Sequence, residues 1–228
     1  TTLEFLYTVQ AGEEELVDLD RAAAGDFLEL NGGTIKDKSD NDLDLTSFAA
    51  AGAAGSLGAN EAIVIDGNVP TILKVTALQG NGIYGGNESI DITVQFSENV
   101  FVVGGLANVK LELDLIIDGV PTEKRVDATG LVGDTITFNY DIDFGDESAD
   151  LAYTNQGADD GIILGTGITI QDAAGNDADL STLPTAGGAG SLDSNKDIVI
   201  DPRPGVLSVT VDAGAFPDAD YDSGDPDI

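Results

Sequence analysis

Two acidic loops contain the residues best suited to bind a metal ion. The oxygen-bearing residues of the first loop are Asp37, Asp40, Asn41, Asp42 and Asp44. Those of the second loop are Asp172, Asn176, Asp177 and Asp179. Calcium takes six to eight oxygen ligands and tolerates irregular loops, so both loops predict calcium binding. The alternative is an Asx-rich turn, in which the same side chains accept hydrogen bonds from backbone N–H groups and need no metal.

Neither loop is an EF-hand. With Asp40 as the first position, the sixth is Leu45, where glycine is needed, and the twelfth is Ala51, where glutamate is needed. Any calcium site here is therefore of an irregular kind.

Further acidic residues lie where strands are predicted to join links or loops. Asp66 and Asp201 each end a strand-like run and lead into a link that contains proline. The other acids that could join such a site are Glu13, Glu14, Asp18 and Asp20, with Asp146, Glu147 and Asp150. The alternative for each of them is a plain position on a solvated surface.

The end of the sequence is a third acidic segment. Asp218, Asp220 and Asp222 alternate with other residues, and no lysine or arginine follows Arg203. This pattern is compatible with chelation by one loop, and disorder is the alternative.

Composition excludes several kinds of chemistry. The chain has 9 Lys and Arg against 31 Asp and 11 Glu, a net charge of −33, and no His or Cys. Catalysis by Ser-His-Asp or Cys-His groups and zinc sites built on His or Cys are therefore excluded, and we expect no enzyme. So anionic a chain repels nucleic acid and acidic lipid headgroups. The excess of Asp over Glu favours acidic loops, with an acidic coat for high salt as the alternative.

The sequence repeats itself with a period of about 135 residues. The matched segments are 5–7 with 138–140, 18–19 with 150–151, 34–37 with 169–172, 41–45 with 176–180, 55–57 with 190–192, 63–66 with 198–201, and 72–76 with 206–210. This predicts three parts, which are the second half of one repeat (1–66), a complete repeat (67–201), and the opening strand of the next repeat with an acidic tail (202–228).

Short alternating runs predict strands throughout the complete repeat. These runs are 71–77, 90–96, 109–117, 135–142, 168–171 and 197–200. About seven short strands in such a unit predict an all-β fold of Ig-like β-sandwich repeats in tandem. A helix-like stretch over 13–24 has a weaker counterpart near 146–153. The GxGxxG pattern at 80–85 precedes a strand pattern and is interpreted as a hairpin loop.

The order of these motifs resembles the repeats of very large bacterial surface proteins of the SwmB kind. The residues that carry the resemblance are those of the matched segments, and Phe96-Ser97-Glu98-Asn99-Val100 resembles a strand end of bacterial Ig-like domains. The resemblance implies tandem Ig-like or cadherin-like sandwiches in an extracellular adhesin or surface layer, with calcium stiffening the junctions between repeats.

Together these observations predict a calcium-stabilised structural or adhesive repeat of a cell-surface protein. Its expected partners are neighbouring repeats or identical subunits head to tail, and cell-surface or matrix ligands, without nucleic acid or membrane insertion. One alternative is a subunit of an extracellular filament or surface layer assembled by β-strand addition. The other alternative is a carbohydrate- or ice-binding module, which the absence of Trp and the scattered Thr residues disfavour.

Overall fold

The computed structural model describes residues 2–15, 17–22, 28–44, 46, 48–154 and 161–202. Within these residues the protein is mostly β-sheet, with two short helices, so the all-β prediction is confirmed. The strands are β1 (Glu14–Glu15), β2 (Ile65–Asp66), β3 (Ile72–Ala77), β4 (Gly82–Tyr84), β5 (Ser89–Phe96), β6 (Phe101–Val103), β7 (Val109–Ile117), β8 (Val120–Val132), β9 (Thr135–Asp141), β10 (Asp146–Tyr153), β11 (Ile162–Leu164), β12 (Thr169–Gln171) and β13 (Ile198–Ile200). The helices are α1 (Leu57–Asn60) and α2 (Leu192–Asn195), and 3₁₀ turns lie at Leu106–Asn108 and Leu180–Thr182.

A curled nine-stranded sheet forms the body of residues 72–200. Its strand order is β3-β5-β9-β8-β7-β10-β13-β4, with β11 paired to β7. All the pairs are antiparallel except β13 with β4. The long strand β8 pairs with β7 from Val120 to Asp127 and with β9 from Ala128 to Val132, with an irregularity in the second pairing between Ala128 and Gly130. Because a bulge bends a strand and increases its twist, this irregularity contributes to the curl of the sheet.

The core follows from strict alternation along the central strands. In β5, Ile90, Ile92, Val94 and Phe96 are fully buried, and the residues between them are more exposed. Successive strand side chains point to opposite faces, so one apolar face covers the interior. The main buried cluster lies between Ile72 and Ile200, and residues 2–66 add no member to it among those described.

Two small sheets lie beside this body. Strand β1 pairs with β2, with Glu14 opposite Asp66, and β12 pairs with β6. The β1–β2 pair is extended by reciprocal backbone bonds, from the Gly12 N–H to the Gly67 carbonyl (2.8 Å) and from the Gly67 N–H to the Glu13 carbonyl (2.7 Å). It ends at the link that leads into β3.

The strand predictions are confirmed for all six alternating runs, within two residues at each end. The helix-like stretch over 13–24 is wrong where it is described, since Glu14–Glu15 is a strand and residues 17–22 are not helical. Its counterpart is also wrong, because residues 146–153 form β10. The GxGxxG segment contains a strand, β4, that pairs with β13 and so lies in the sheet. The division into repeats stays a prediction.

Candidate metal centre

Three carboxylates meet beside the link between residues 2–66 and the large sheet. One oxygen from each of Asp66, Glu98 and Asp172 lies within 4.8 Å of the other two. Asp66 and Asp172 were predicted as metal ligands from the sequence, and Glu98 was not. We call this group the junction cluster.

Each member is placed by the end of a strand. Asp66 is the last residue of β2, Glu98 lies two residues beyond β5, and Asp172 directly follows β12. Next to Glu98, the Ser97 N–H donates to the Thr71 carbonyl (2.7 Å), which fixes the chain leaving β5 against the start of β3. Three strand ends far apart in sequence therefore bring the carboxylates together.

Asn176 ties two members of the junction cluster to each other. Its side-chain Nδ2 donates to Asp172 Oδ2 (2.7 Å) and to the backbone carbonyl of Asp66 (2.9 Å), and its backbone N–H donates to Asp172 Oδ1 (2.9 Å). Asp172 is 5% exposed and is held in one orientation by these bonds. Each carboxylate oxygen has two lone pairs, so both oxygens of Asp172 keep the capacity to bind a cation.

The electrostatics of the junction cluster are those of a site that lacks positive charge. Burial raises the pKa of Glu98 above its ordinary value of 4.5, and the carboxylates of Asp66, Asp172 and Glu14 raise it further. None of the six ion pairs between described residues includes a member of the cluster. Like charges this close repel each other, and a divalent cation would relieve the repulsion.

The donor set fits calcium best among the common ions. The junction cluster offers only oxygen ligands, and three carboxylates can supply between three and six of the six to eight oxygens that calcium takes. Structural zinc sites use Cys and His, which this chain lacks. Magnesium prefers one or two carboxylates, several retained waters and a strict octahedron.

The loop at residues 37–44 has matching internal hydrogen bonds, but its carboxylates form no such cluster with other residues that the structure describes. Asp37 Oδ1 accepts from the N–H groups of Ser39 (2.8 Å) and Asn41 (2.9 Å), and Asp37 Oδ2 accepts from Asn41 Nδ2 (2.9 Å). Asn41 and the other donors lower the pKa of Asp37. Lys36 pairs with Asp40 and Asp42. The loop thus forms the Asx-rich turn that was the alternative interpretation, and calcium binding there stays a prediction.

The remaining acidic residues of the two loops accept hydrogen bonds from residues close to them in the sequence. Asp44 Oδ1 accepts from Thr46, Asp179 Oδ1 accepts from Ser181 in the same way, and Asp177 accepts from Gln171. These carboxylates lie outside the junction cluster.

Matching acids of the two copies have matching structural roles. Glu13 accepts from the Tyr7 hydroxyl (2.7 Å), and its counterpart Asp146 accepts from the Tyr140 hydroxyl (2.8 Å) and pairs with Lys124. Asp18 accepts from the N–H of Ile63 (2.8 Å), as Asp150 does from that of Ile198 (3.4 Å).

The last candidates lie elsewhere. Glu147 lies opposite Ile116 in the sheet, and the Asp201 N–H donates to the Tyr84 carbonyl, so neither belongs to the junction cluster. Asp218, Asp220 and Asp222 lie outside the described residues.

Glu98 had a signal in the sequence that motif reading missed. Ile90, Ile92, Val94 and Phe96 are the inward residues of β5, and Glu98 continues their period of two. An acid on the inward side of a strand end is costly without a partner or an ion, which makes it a candidate ligand.

Comparisons with known proteins provide no relative. No protein-family model matches the chain, and no curated protein or solved structure gives a significant match. In the part of the chain that is described, no helix has the length and apolar character needed to span a membrane.

Proposed function

We propose that this protein is a calcium-stabilised structural or adhesive repeat of an extracellular cell-surface protein. The observation that carries the proposal is the junction cluster, Asp66, Glu98 and Asp172, which lies where one copy of the sequence repeat passes into the next. A calcium ion bound there would join the link after the first copy to two strand ends of the second.

The effect of such an ion is mechanical. Asp66 precedes the link to β3, and the link residues 67–71 provide the covalent connection between the two parts. A cation held by Asp66 from one side and by Glu98 and Asp172 from the other would restrict rotation about this link. An array of such joints would stay extended outside the cell, where the chain would meet neighbouring repeats and cell-surface or matrix ligands.

We also propose that residues 67–201 form an Ig-like β-sandwich that repeats in tandem. The bend in β8 supports this, because it separates β3, β5 and β9 from β7, β10 and β13. Inward residues from both groups, such as Phe96, Phe138, Leu113 and Leu151, are fully buried, as two facing layers require.

Thermal unfolding with calcium and with chelator tests the proposal. The variants are Glu98→Gln, which removes a ligand, and Glu123→Gln, a matched change at an exposed residue of β8. When calcium binds only to the folded state, calcium at about a hundred times its dissociation constant adds about 2.7 kcal/mol to the free energy of unfolding. For a chain of this size that is a rise in Tm of roughly 5–10 °C.

We expect this rise in the native protein and in Glu123→Gln, and a smaller rise in Glu98→Gln, in which only the other acidic loops can bind calcium. In chelator, Glu98→Gln is expected to melt at or above the native protein, since the change removes a repelling charge. Equal melting curves with calcium and with chelator would refute the proposal.

Of the alternatives, carbohydrate or ice binding stays a prediction that no described feature favours. Assembly by β-strand addition also stays a prediction.

A further inference from the structure

Hydrogen bonds attach the end of the link, residues 67–71, to the large sheet. The Asp179 N–H donates to the Pro70 carbonyl (2.8 Å). The Thr71 N–H donates to Ser97 Oγ (3.0 Å), and the Thr71 carbonyl accepts from the Ser97 N–H (2.7 Å). None of these bonds involves a metal ion, so this end of the link has a fixed place against the large sheet with or without calcium.

At the other end of the link, Asn176 makes the corresponding attachment. Its Nδ2 donates to the Asp66 carbonyl (2.9 Å) and to Asp172 Oδ2 (2.7 Å). A carbonyl and an ionised carboxylate are both acceptors, so an amide that bonds the two must turn its NH₂ group toward them. This nitrogen is a donor and does not bind a cation. Asn176 therefore holds the residues around the junction cluster in place through a group that cannot be a metal ligand.

Asn41, the counterpart of Asn176 in the first copy, shows which bond is specific to the joint. Each of the two residues donates from its backbone N–H and from Nδ2 to the aspartate of its own loop. The hydrogen bonds of Asn41 to described residues stay within that loop. Asn176 also bonds a residue 110 positions away in the sequence. The bond to Asp66 is therefore the difference between the two copies.

This bond opposes the repulsion within the junction cluster. One oxygen from each of the three carboxylates lies within 4.8 Å of the other two, and without a cation these like charges repel each other. Asn176 holds Asp66 through its backbone carbonyl, so the attachment leaves the carboxylate of Asp66 free to take part in binding a cation. A neutral donor can thus keep Asp66 beside Asp172 while no ion is present.

We propose that Asn176 is the positioning residue of this joint. It holds the start of the link against residues 172–179 in the absence of metal, and it thereby sets the orientation of residues 2–66 relative to the large sheet. The joint is formed before any ion binds. Calcium then stabilises an orientation that Asn176 has already selected, and this last step alone rests on the proposed function.

The distance between two spin labels, measured in chelator, tests the inference. The chain has no Cys, so labels attach only at introduced cysteines, Ala59→Cys in α1 and Thr129→Cys in β8, both at exposed positions. This labelled protein is compared with the same protein carrying Asn176→Ala or Asn41→Ala. Each change removes the side-chain bond to the aspartate of one loop, but only Asn176→Ala also removes the bond to Asp66.

We expect a narrow distribution of distances with both asparagines intact and in Asn41→Ala. In Asn176→Ala the distribution is expected to be about twofold wider, because residues 67–69 then behave as a flexible linker. A native circular dichroism spectrum in both variants would show that the wider distribution is not a loss of folding. A wide distribution with both asparagines intact, or equal widths in the two variants, would overturn the inference.

Adding calcium to the labelled proteins separates this inference from the proposed function. We expect calcium to narrow the distribution of Asn176→Ala toward that of the protein with both asparagines intact. If Asn176→Ala is wide in chelator and stays wide in calcium, the positioning role is supported and the calcium site at the junction cluster is refuted. If all three proteins are narrow in chelator and calcium still raises the Tm, the positioning role is refuted and the calcium site is not.

Discussion

At the residue scale, context rather than motif distinguishes the two acidic loops. Asp37 with Asn41 and Asp172 with Asn176 make the same hydrogen bonds within their loops. Only Asp172 is buried and has two further carboxylates beside it. The sequence predicted both loops as equal metal sites. The residues that distinguish the second loop, Asp66 and Glu98, lie at the ends of other strands and are not part of its motif.

The pH dependence of stability measures the cost of ionising Glu98 in the folded protein. Its folded pKa lies above the ordinary value of 4.5, because of burial and of Asp66, Asp172 and Glu14. The stability that Glu98 contributes to the folded protein is therefore fully present below its pKa in the unfolded chain, and it is lost as pH rises through its pKa in the folded protein. We expect Glu98→Gln in chelator to gain stability relative to the native protein as pH rises from about 4 to 7. If urea unfolding shows the same difference in unfolding free energy between the two proteins at every pH in this range, the pKa of Glu98 is not raised by folding.

The ion pair between the buried Asp146 and the partly buried Lys124 provides a second prediction. Asp146 is 1% exposed and accepts from Lys124 Nζ (2.7 Å) and from the Tyr140 hydroxyl (2.8 Å). Asp146→Asn leaves Lys124 without its buried partner, which we expect to cost about 3 kcal/mol of unfolding free energy. The matched change Glu13→Gln, at the more exposed counterpart, is expected to have a much smaller effect. Similar losses in the two variants would contradict this difference in burial.

At the element scale, the sequence predicted the strands whose pattern is local and missed those set by tertiary contacts. Strands β5 and β7 alternate clearly and were located within a residue. Strand β10 begins Asp-Glu-Ser-Ala-Asp, a poor strand sequence, and is held in place by β7 and β13. Strand β8 contains Pro121, charged residues and a bend, so its length follows from pairing with two neighbours.

The link after β2 requires glycine at residue 67. A Cβ there would lie 2.3 Å from the Gln10 carbonyl oxygen and 3.0 Å from that of Glu13. Gly67→Ala is therefore expected to displace β1 from β2, to lower calcium affinity by moving Asp66, and to lower the Tm. Gly80→Ala is the control, since nothing lies within 4 Å of a Cβ at that position. Equal calcium affinity in both variants would show that calcium binding at the junction cluster does not depend on the pairing of β1 with β2.

The helix that begins at the leucine of each Gly-Ser-Leu motif provides a matched pair of variants. Leu192 is fully buried against β3, and its truncation to alanine is expected to cost about 2–5 kcal/mol. Leu57→Ala is expected to cost much less in the monomer, because Leu57 is 42% exposed. Chemical unfolding at low protein concentration distinguishes the two, and equal losses would contradict this difference in burial.

At the scale of the whole molecule, the acidic residues that give the net charge of −33 fall into groups with different surroundings. Some of the acidic residues lie in loops where they accept hydrogen bonds, as Asp20, Asp37 and Asp44 do, and these bonds lower their pKa values. The junction cluster is different, because there carboxylates face one another across a link between sequence repeats. The repeat and the acidic loops could be predicted from the sequence, but the meeting of three strand ends follows from the fold.

A count of bound calcium tests this account most directly. Native mass spectrometry, after exchange into buffer with limiting calcium, compares the native protein with Glu98→Gln and Glu123→Gln. Other acidic loops can bind calcium in all three proteins, so the difference between them is the measurement. We predict that Glu98→Gln holds one calcium ion fewer than the other two. The same number of ions in all three proteins would contradict a calcium site at the junction.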